Sequence, residues 1–197
     1  GKNRSNSKHF QIKLMKIEKS SLPGLLIIKP KIFTDKRGYL FEIWNLNLYK
    51  KHGIKSKIVQ VICANSKKNT LRGIHFQYPH MQGKFVTIIN GKIFDVIVDI
   101  RKNSPTYGKW CGLTLDSKEK KQLWIPEGFG HAYLVLSKTA TIIYTCTQKY
   151  YPKNQKSIIW NDPYINIRWP IKKPILSKKD TKGLKLNEIK ELPKWRK

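Results

Sequence analysis

Acidic residues are scarce in this chain: 12 Asp and Glu stand against 40 Lys and Arg among 197 residues, a formal net charge of +28. Such an excess raises the question of nucleic acid or an anionic membrane. The lysines are nevertheless spread along the chain, with no zinc-finger or helix-turn-helix spacing, so specific nucleic-acid binding is not expected. Cysteine is sparse too. Cys63, Cys111 and Cys146 are odd in number, far apart and without CxxC spacing, which argues against a disulfide framework or a zinc site. They read as buried thiols in a reducing, cytoplasmic setting. No apolar run approaches the roughly 18 residues that cross a bilayer, so a soluble protein is expected. GxGxxG and the P-loop are both missing.

What is present suits one globular domain. Residues 1–14, GKNRSNSKHFQIKL, are basic and poor in apolar side chains, and are expected to be a flexible extension or a cloning remnant. Residues 15–197 form the domain. Short apolar runs at close spacing read as strands: 24–29, 39–43, 58–62, 110–115, 132–136, 140–148, 157–160 and 165–169. Residues 45–52 suit a short helix closed by Gly53. Asn90-Gly91 between FVTII and KIFDVIVDI predicts a hairpin with its strands paired. The pattern is all-β, a sandwich or barrel with short peripheral helices.

One stretch carries the chemistry, TLRGIHFQYPHMQGK from Thr70 to Lys84. Strand alternation sets Leu71, Gly73, His75 and Gln77 on one face and Arg72, Ile74 and Phe76 on the other. Pro79 and Gly83 break the pattern, so that Lys84 opens the next strand and can return over the same surface. Arginine occurs only six times, which suggests that Arg72 sits where a planar fork grips a diphosphate or carboxylate.

The string RGIHFQ followed by QGK resembles the dTDP-4-dehydrorhamnose 3,5-epimerase family of nucleotide-sugar epimerases. Further matches follow in order: DKRGYLFEIW, DVIVDIRKNSPTYGKW, QLWIPEGFGHAYLVLS, WNDP and LSKKD. The resemblance implies a double-stranded β-helix, the cupin-type jelly roll, assembled as a homodimer. The implied substrate is a nucleotide sugar, dTDP-linked, and the reaction inverts carbon 3, carbon 5 or both beside a 4-keto group. By resemblance His75 is the base, Asp180 its carboxylate partner, Lys84 the stabiliser of the enolate oxygen and Tyr144 the acid. Arg37, Glu42, Gln60, Arg72, Gln77, His131, Tyr150 and Lys179 are the implied substrate contacts.

Each of these residues also has a plainer reading. Arg37 and Glu42 fit a surface ion pair near a turn, Ser177 to Asp180 fits a helix-capping box, and Tyr144 fits a core aromatic. Many cupins bind a metal through two histidines one residue apart. Here the second position is Gln77, and with Lys84 entering the site neither metal nor cofactor is expected. Ile62, Ala64 and Gln155 replace residues common in the family, which leaves the exact sugar open. A non-catalytic nucleotide-sugar-binding cupin is the alternative.

Overall fold

The structure is a computed structural model, and it describes residues 11–13 and 15–195. On one central strand, β9 (Lys92–Asp99), Ile93 and Ile97 join one apolar cluster while Val96 and Val98 join another, and all four are fully buried. A strand covered on both faces needs a layer on each side. β9 lies in a five-stranded sheet in the order β10 (Trp110–Asp116), β9, β12 (Phe129–Val135), β7 (Leu71–Gln77), β14 (Gln155–Ser157). A six-stranded sheet runs β2 (Lys16–Lys19), β3 (Leu26–Lys29), β11 (Gln122–Ile125), β8 (Lys84–Asn90), β13 (Thr139–Cys146), β6 (Gln60–Lys67). Every pairing is antiparallel. This is the expected jelly roll.

Between the sheets Ile93 and Ile97 meet Val86 and Ile88 of β8, Leu123 of β11 and Ile142 of β13. Each such side chain contributes about 1.5–3 kcal/mol by leaving water. Outside the five-stranded sheet, Ile74, Phe76, Val96 and Val98 are covered by Ile158, Ile165, Leu186, Ile189 and Leu192. The C-terminal segment is thereby held across the back of β7. Outside the six-stranded sheet, Ile28, Phe85 and Trp124 pack under Tyr49 and Ile54. Tyr49 belongs to α1 (Leu46–Lys50), whose first turn is capped by Asn45, the side chain accepting from the Leu48 amide at 3.1 Å. Gly53 follows with φ +87°.

A small third sheet joins β1 (Gln11–Lys13), β4 (Ile32–Asp35) and β5 (Gly38–Phe41). The boundary expected after residue 14 is therefore crossed, because Gln11–Lys13 pairs with Thr34–Ile32. Residues 1–10 and 14 lie outside the described residues.

The Asn90-Gly91 hairpin is corrected. Gly91 does take φ +85°, but β8 enters the six-stranded sheet between β11 and β13, and β9 enters the other between β10 and β12. Both strands are apolar on both faces, so each needs two partners and a cover. The turn becomes the corner where the chain crosses between sheets. Gly91 is also required by space, since a Cβ there would lie 2.2 Å from the Thr139 carbonyl oxygen. β6 runs on to Lys67, because it pairs along its length with β13, leaving Val61, Cys63, Asn65 and Lys67 on its open side. Residues 165–169 are not a strand, and Ile165 serves as apolar cover. Of the three free thiols only Cys146 is buried, whereas Cys63 is exposed on β6 and Cys111 half-buried.

Candidate active site

Between the two sheets the apolar filling gives way to a cavity of about 330 Å³. Its walls bear Arg72 and His75 from β7, Lys84 from β8, His131 and Tyr133 from β12, and Tyr144 and Cys146 from β13. Tyr150 and Gln155 stand at it too. Strand alternation predicts Arg72 and His75 on opposite faces, and the structure corrects this. His131 pairs with His75 and Tyr133 with Arg72, so three steps along β7 face two along β12. One extra residue in β7 forms a bulge that turns both side chains to the same side. Gly73 occupies the bulge with φ +114°, and a Cβ there would fall 2.5 Å from the His131 carbonyl oxygen.

The His75 Nε2–H donates to Asp180 Oδ1 at 2.5 Å. This leaves Nδ1 as the ring nitrogen with a free lone pair. Asp180 opens a 3₁₀ turn, Asp180–Lys182, in the segment that the apolar cover holds across β7. Ser177 Oγ donates to Asp180 Oδ2 at 2.8 Å and accepts from the Asp180 amide at 3.1 Å. The capping contact and the histidine contact therefore coexist. Burial pushes the His75 imidazole below its ordinary value, with Lys84 and Lys179 acting in the same direction, and Asp180 only partly opposes them. Burial also works against the Asp180 carboxylate, but hydrogen bonds from His75 and Ser177 hold it below the usual range. The pair is thus poised with a neutral imidazole on an ionised carboxylate.

A second histidine–carboxylate pair lies beside the first. His131 Nε2–H donates to Asp95, at 2.9 and 3.0 Å to its two oxygens, and both residues are buried. Sequence reading missed Asp95. The available signal was an acidic residue inside an apolar run, Asp95 in IFDVIV.

Lys84 is drawn down from the ordinary ammonium range by burial, which Cys146 and Asp95 partly offset. Among the described residues no carboxylate makes an ion pair with it. An uncompensated cation in such a place favours an anionic ligand. Burial pushes the Tyr144 phenol well above its ordinary value, reinforced by the neighbouring Tyr133 and by Asp95. Tyr144 keeps its proton until a strong base such as a carbanion takes it. Its ring meets His131 edge-on, with centroids 6.1 Å apart.

The remaining predicted residues divide into three groups. Arg72 spends Nε–H on Ser66 Oγ at 3.0 Å and keeps its two terminal nitrogens for an anion. Tyr150 donates its hydroxyl to Gln155 Oε1 at 2.6 Å, and the same oxygen accepts from Lys179, so these three close one rim. Gln60 Oε1 accepts from the Tyr150 amide at 2.8 Å and fixes that rim. Gln77 is buried, and its amide is spent on the backbone of His80, Lys149 and Tyr151, so it braces the loop instead of lining the cavity. Arg37 and Glu42 lie away from the cavity within this chain. Arg37 is paired with Asp35 at 2.6 Å, and Glu42 accepts from Asn45 at 2.9 Å.

Among the described residues no three His, Cys, Asp or Glu side chains cluster as metal ligands would. A larger cavity of about 800 Å³ borders Lys156, Lys179, Leu184 and Glu191 at the C-terminal segment, but it holds no histidine or tyrosine to move a proton.

The chain is similar to known proteins over most of its length. The profile of the dTDP-4-dehydrorhamnose 3,5-epimerase family matches residues 19–188. An enzyme of that name from Salmonella typhimurium is 46% identical over 170 residues, covering 85% of this chain and 93% of the relative. Its Shigella flexneri counterpart is 44% identical over 173 residues, covering 87% and 96%. A longer relative from Neisseria gonorrhoeae is 44% identical, and the match takes in 52% of its length. Among solved structures, a dTDP-6-deoxy-D-glucose-3,5-epimerase from Legionella pneumophila in complex with dTDP-4-keto-L-rhamnose superposes with a TM-score of 0.91 at 40% identity, covering 93% of this chain and all of that one. A 3'-monoepimerase from Streptomyces bikiniensis in complex with dTDP-quinovose gives 0.83 at 31% identity, covering 89% and 91%. The chain belongs to the dTDP-4-dehydrorhamnose 3,5-epimerase family.

Proposed function

We propose that this protein is an isomerase that inverts carbon 3, carbon 5 or both of a dTDP-linked 4-keto-6-deoxy sugar. The observation that carries the reading is that His75, held by Asp180, shares one cavity with Lys84 and the half-buried Tyr144. The 4-keto group makes the neighbouring C–H bonds acidic, because the anion left behind is an enolate. His75 Nδ1 takes the proton, and Asp180 steadies the imidazolium. Lys84 supplies its positive charge to the enolate oxygen. Tyr144 returns a proton to the carbon from the opposite face, and the configuration is inverted. Solvent then restores the phenol and takes the proton from His75. Arg72 and Lys179 offer charge to the diphosphate, with His131 and Tyr150 contacting the sugar or base.

The working form is a homodimer. β6 ends its sheet, and Val59 and Val61 beside that edge are 58% and 64% exposed. On the β4–β5 hairpin Tyr39 and Leu40 are similarly open, at 57% and 64%. Apolar edges of this kind invite strand addition. A second copy covering them is also the simplest way for Arg37 and Glu42 to reach a cavity. Sedimentation should then give twice the 23.1 kDa chain mass, and a monomer at working concentration would contradict the dimer.

The function is tested by incubating the protein with dTDP-4-keto-6-deoxyglucose in deuterated water and following label and configuration at both carbons. Exchange with inversion at either carbon is the expected result, and the pattern tells a 3,5-epimerase from a mono-epimerase. Binding without exchange would leave a sugar-binding protein and overturn the reading.

A further inference from the structure

Lys84 enters the cavity from the first residue of β8, and the two strands that flank it there are tied together over the residue before it. In register Lys84 stands between Ile125, the last residue of β11, and Cys146, the last residue of β13. Just beyond those strand ends the chain carries Glu127 and Thr147, and both close on Gly83. The Gly83 amide donates to Thr147 Oγ1 at 2.9 Å, the Thr147 amide donates to the Gly83 carbonyl at 3.0 Å, and the Thr147 hydroxyl donates to Glu127 Oε1 at 2.6 Å. One residue earlier, Gln82 Nε2–H donates to the Gln148 carbonyl at 2.6 Å. A hydroxyl has a single proton. With that proton on Glu127, the Thr147 oxygen is left to accept from Gly83, and its orientation is fixed. A Cβ on Gly83 would lie 3.0 Å from Glu127 Oε1 and 3.2 Å from Thr147 Cγ2, so glycine lets the two side chains close over the backbone. This accounts for the glycine of the QGK string and for the carboxylate of the PEGFGH turn, which does not line the cavity.

We propose that Thr147, held by Glu127, is a positioning residue for Lys84, pinning the backbone at Gly83 so that the ammonium group stands where the enolate oxygen develops. This rests on the reading of Lys84 as the group that meets that oxygen. Among the described residues no carboxylate makes an ion pair with Lys84, so its place is set by the backbone from which it grows. When His75 takes the proton, the electron pair of the C–H bond becomes the enolate, and its charge gathers on the keto oxygen. A positive charge aligned in advance lowers that barrier, and one displaced by about 1 Å does so far less. Exchange and inversion both pass through this enolate. The clamp therefore acts on both alike, whereas Tyr144 acts only on the return of the proton.

The test compares wild type with Thr147→Val and Thr147→Ser, measuring solvent exchange and net inversion of dTDP-4-keto-6-deoxyglucose in deuterated water, together with urea unfolding. Valine keeps the shape of the side chain and loses the hydroxyl. It is expected to lower the turnover number by about 10–100-fold for exchange and inversion alike, with KM near wild type. Serine restores the hydroxyl and should return turnover to near the wild-type value. A merely structural role would lower the urea midpoint and leave the turnover of the folded protein in place. Should Thr147→Val fail to fold by circular dichroism, Glu127→Ala carries the comparison, with Glu127→Gln, which keeps an accepting oxygen, as its rescue. Full turnover in the folded variant, a loss that the conservative variant does not restore, or a fall in inversion without a fall in exchange overturns the proposal. A wild-type enzyme that neither exchanges nor inverts removes the reading of Lys84, and this inference with it.

Discussion

His75 and His131 face each other across the β7–β12 ladder, and each gives its Nε2–H to a different buried carboxylate, Asp180 and Asp95. Their surroundings differ where it counts. His131 is 5% exposed, whereas the His75 side chain retains 24% and turns a free Nδ1 to the cavity. Two similar dyads therefore differ in access: both histidines line the cavity, but His75 is the more open to a substrate proton.

Asp180→Asn should lower turnover about 10–100-fold, because an amide neither fixes the reactive tautomer nor steadies the imidazolium. The pH profile gives a second readout. Burial already sets His75 below its ordinary value near 6.5, so the acid limb of kcat/KM in wild type should fall below that pH. Asp180 is the group that raises it, so in Asp180→Asn the limb should shift further down. An acid limb that stays in place would mean that it reports another residue.

Gly73→Ala should damage fold and site together. The backbone conformation at φ +114° and the 2.5 Å approach to the His131 carbonyl leave no place for a methyl group. Strain of this kind costs on the order of 1–3 kcal/mol. If the bulge is lost, Arg72 and His75 no longer share a face. Urea unfolding and exchange activity should both decline, and a stable variant with full activity would show that the bulge is dispensable.

Much of this arrangement was legible in the sequence, and the misses have physical reasons. His75, Lys84 and Tyr144 sit one to a strand, and RGIHFQ, QGK and TIIY each mark their strand locally. The all-β sandwich or barrel followed from short apolar runs, and the resemblance to the epimerase family narrowed it to a jelly roll. Alternation failed at Arg72, because one inserted residue reverses it and Gly73 gives no more than a hint of the bulge. The Asn90-Gly91 dipeptide correctly specified a tight turn, but it carried no information on the sheet to which each strand belongs. That is decided by two-sided burial. Asp180 and Ser177 were ambiguous because a cap and a histidine partner call for the same residue types, and the structure shows both contacts at once, on different oxygens of Asp180.

The C-terminal closure should depend on acid. Burial works against the Asp99 carboxylate, but Arg101, Ser104 and Thr106 donate to it and hold it below its ordinary value. Arg101 in turn stacks on Phe129 and Trp195. A depressed folded value means stability that is fully present above the unfolded value near 3.9 and is lost as pH falls through the folded one. Asp99→Ala should cost about 3–5 kcal/mol at neutral pH, because Arg101 is left buried without its partner. It should also flatten the loss below about pH 4. Chemical unfolding at neutral and acid pH checks both, and an unchanged acid dependence would place the sensitivity elsewhere.

Opposite-face proton transfer by His75 and Tyr144 is tested most directly with Tyr144→Phe, following deuterium uptake and change of configuration in one incubation with dTDP-4-keto-6-deoxyglucose. The enolate should still form on His75 and recapture solvent-derived label on its original face. Inversion should fall on the order of a hundredfold or more, while exchange falls far less. If exchange and inversion fall by the same factor, Tyr144 positions the substrate or packs the barrel and is not the acid.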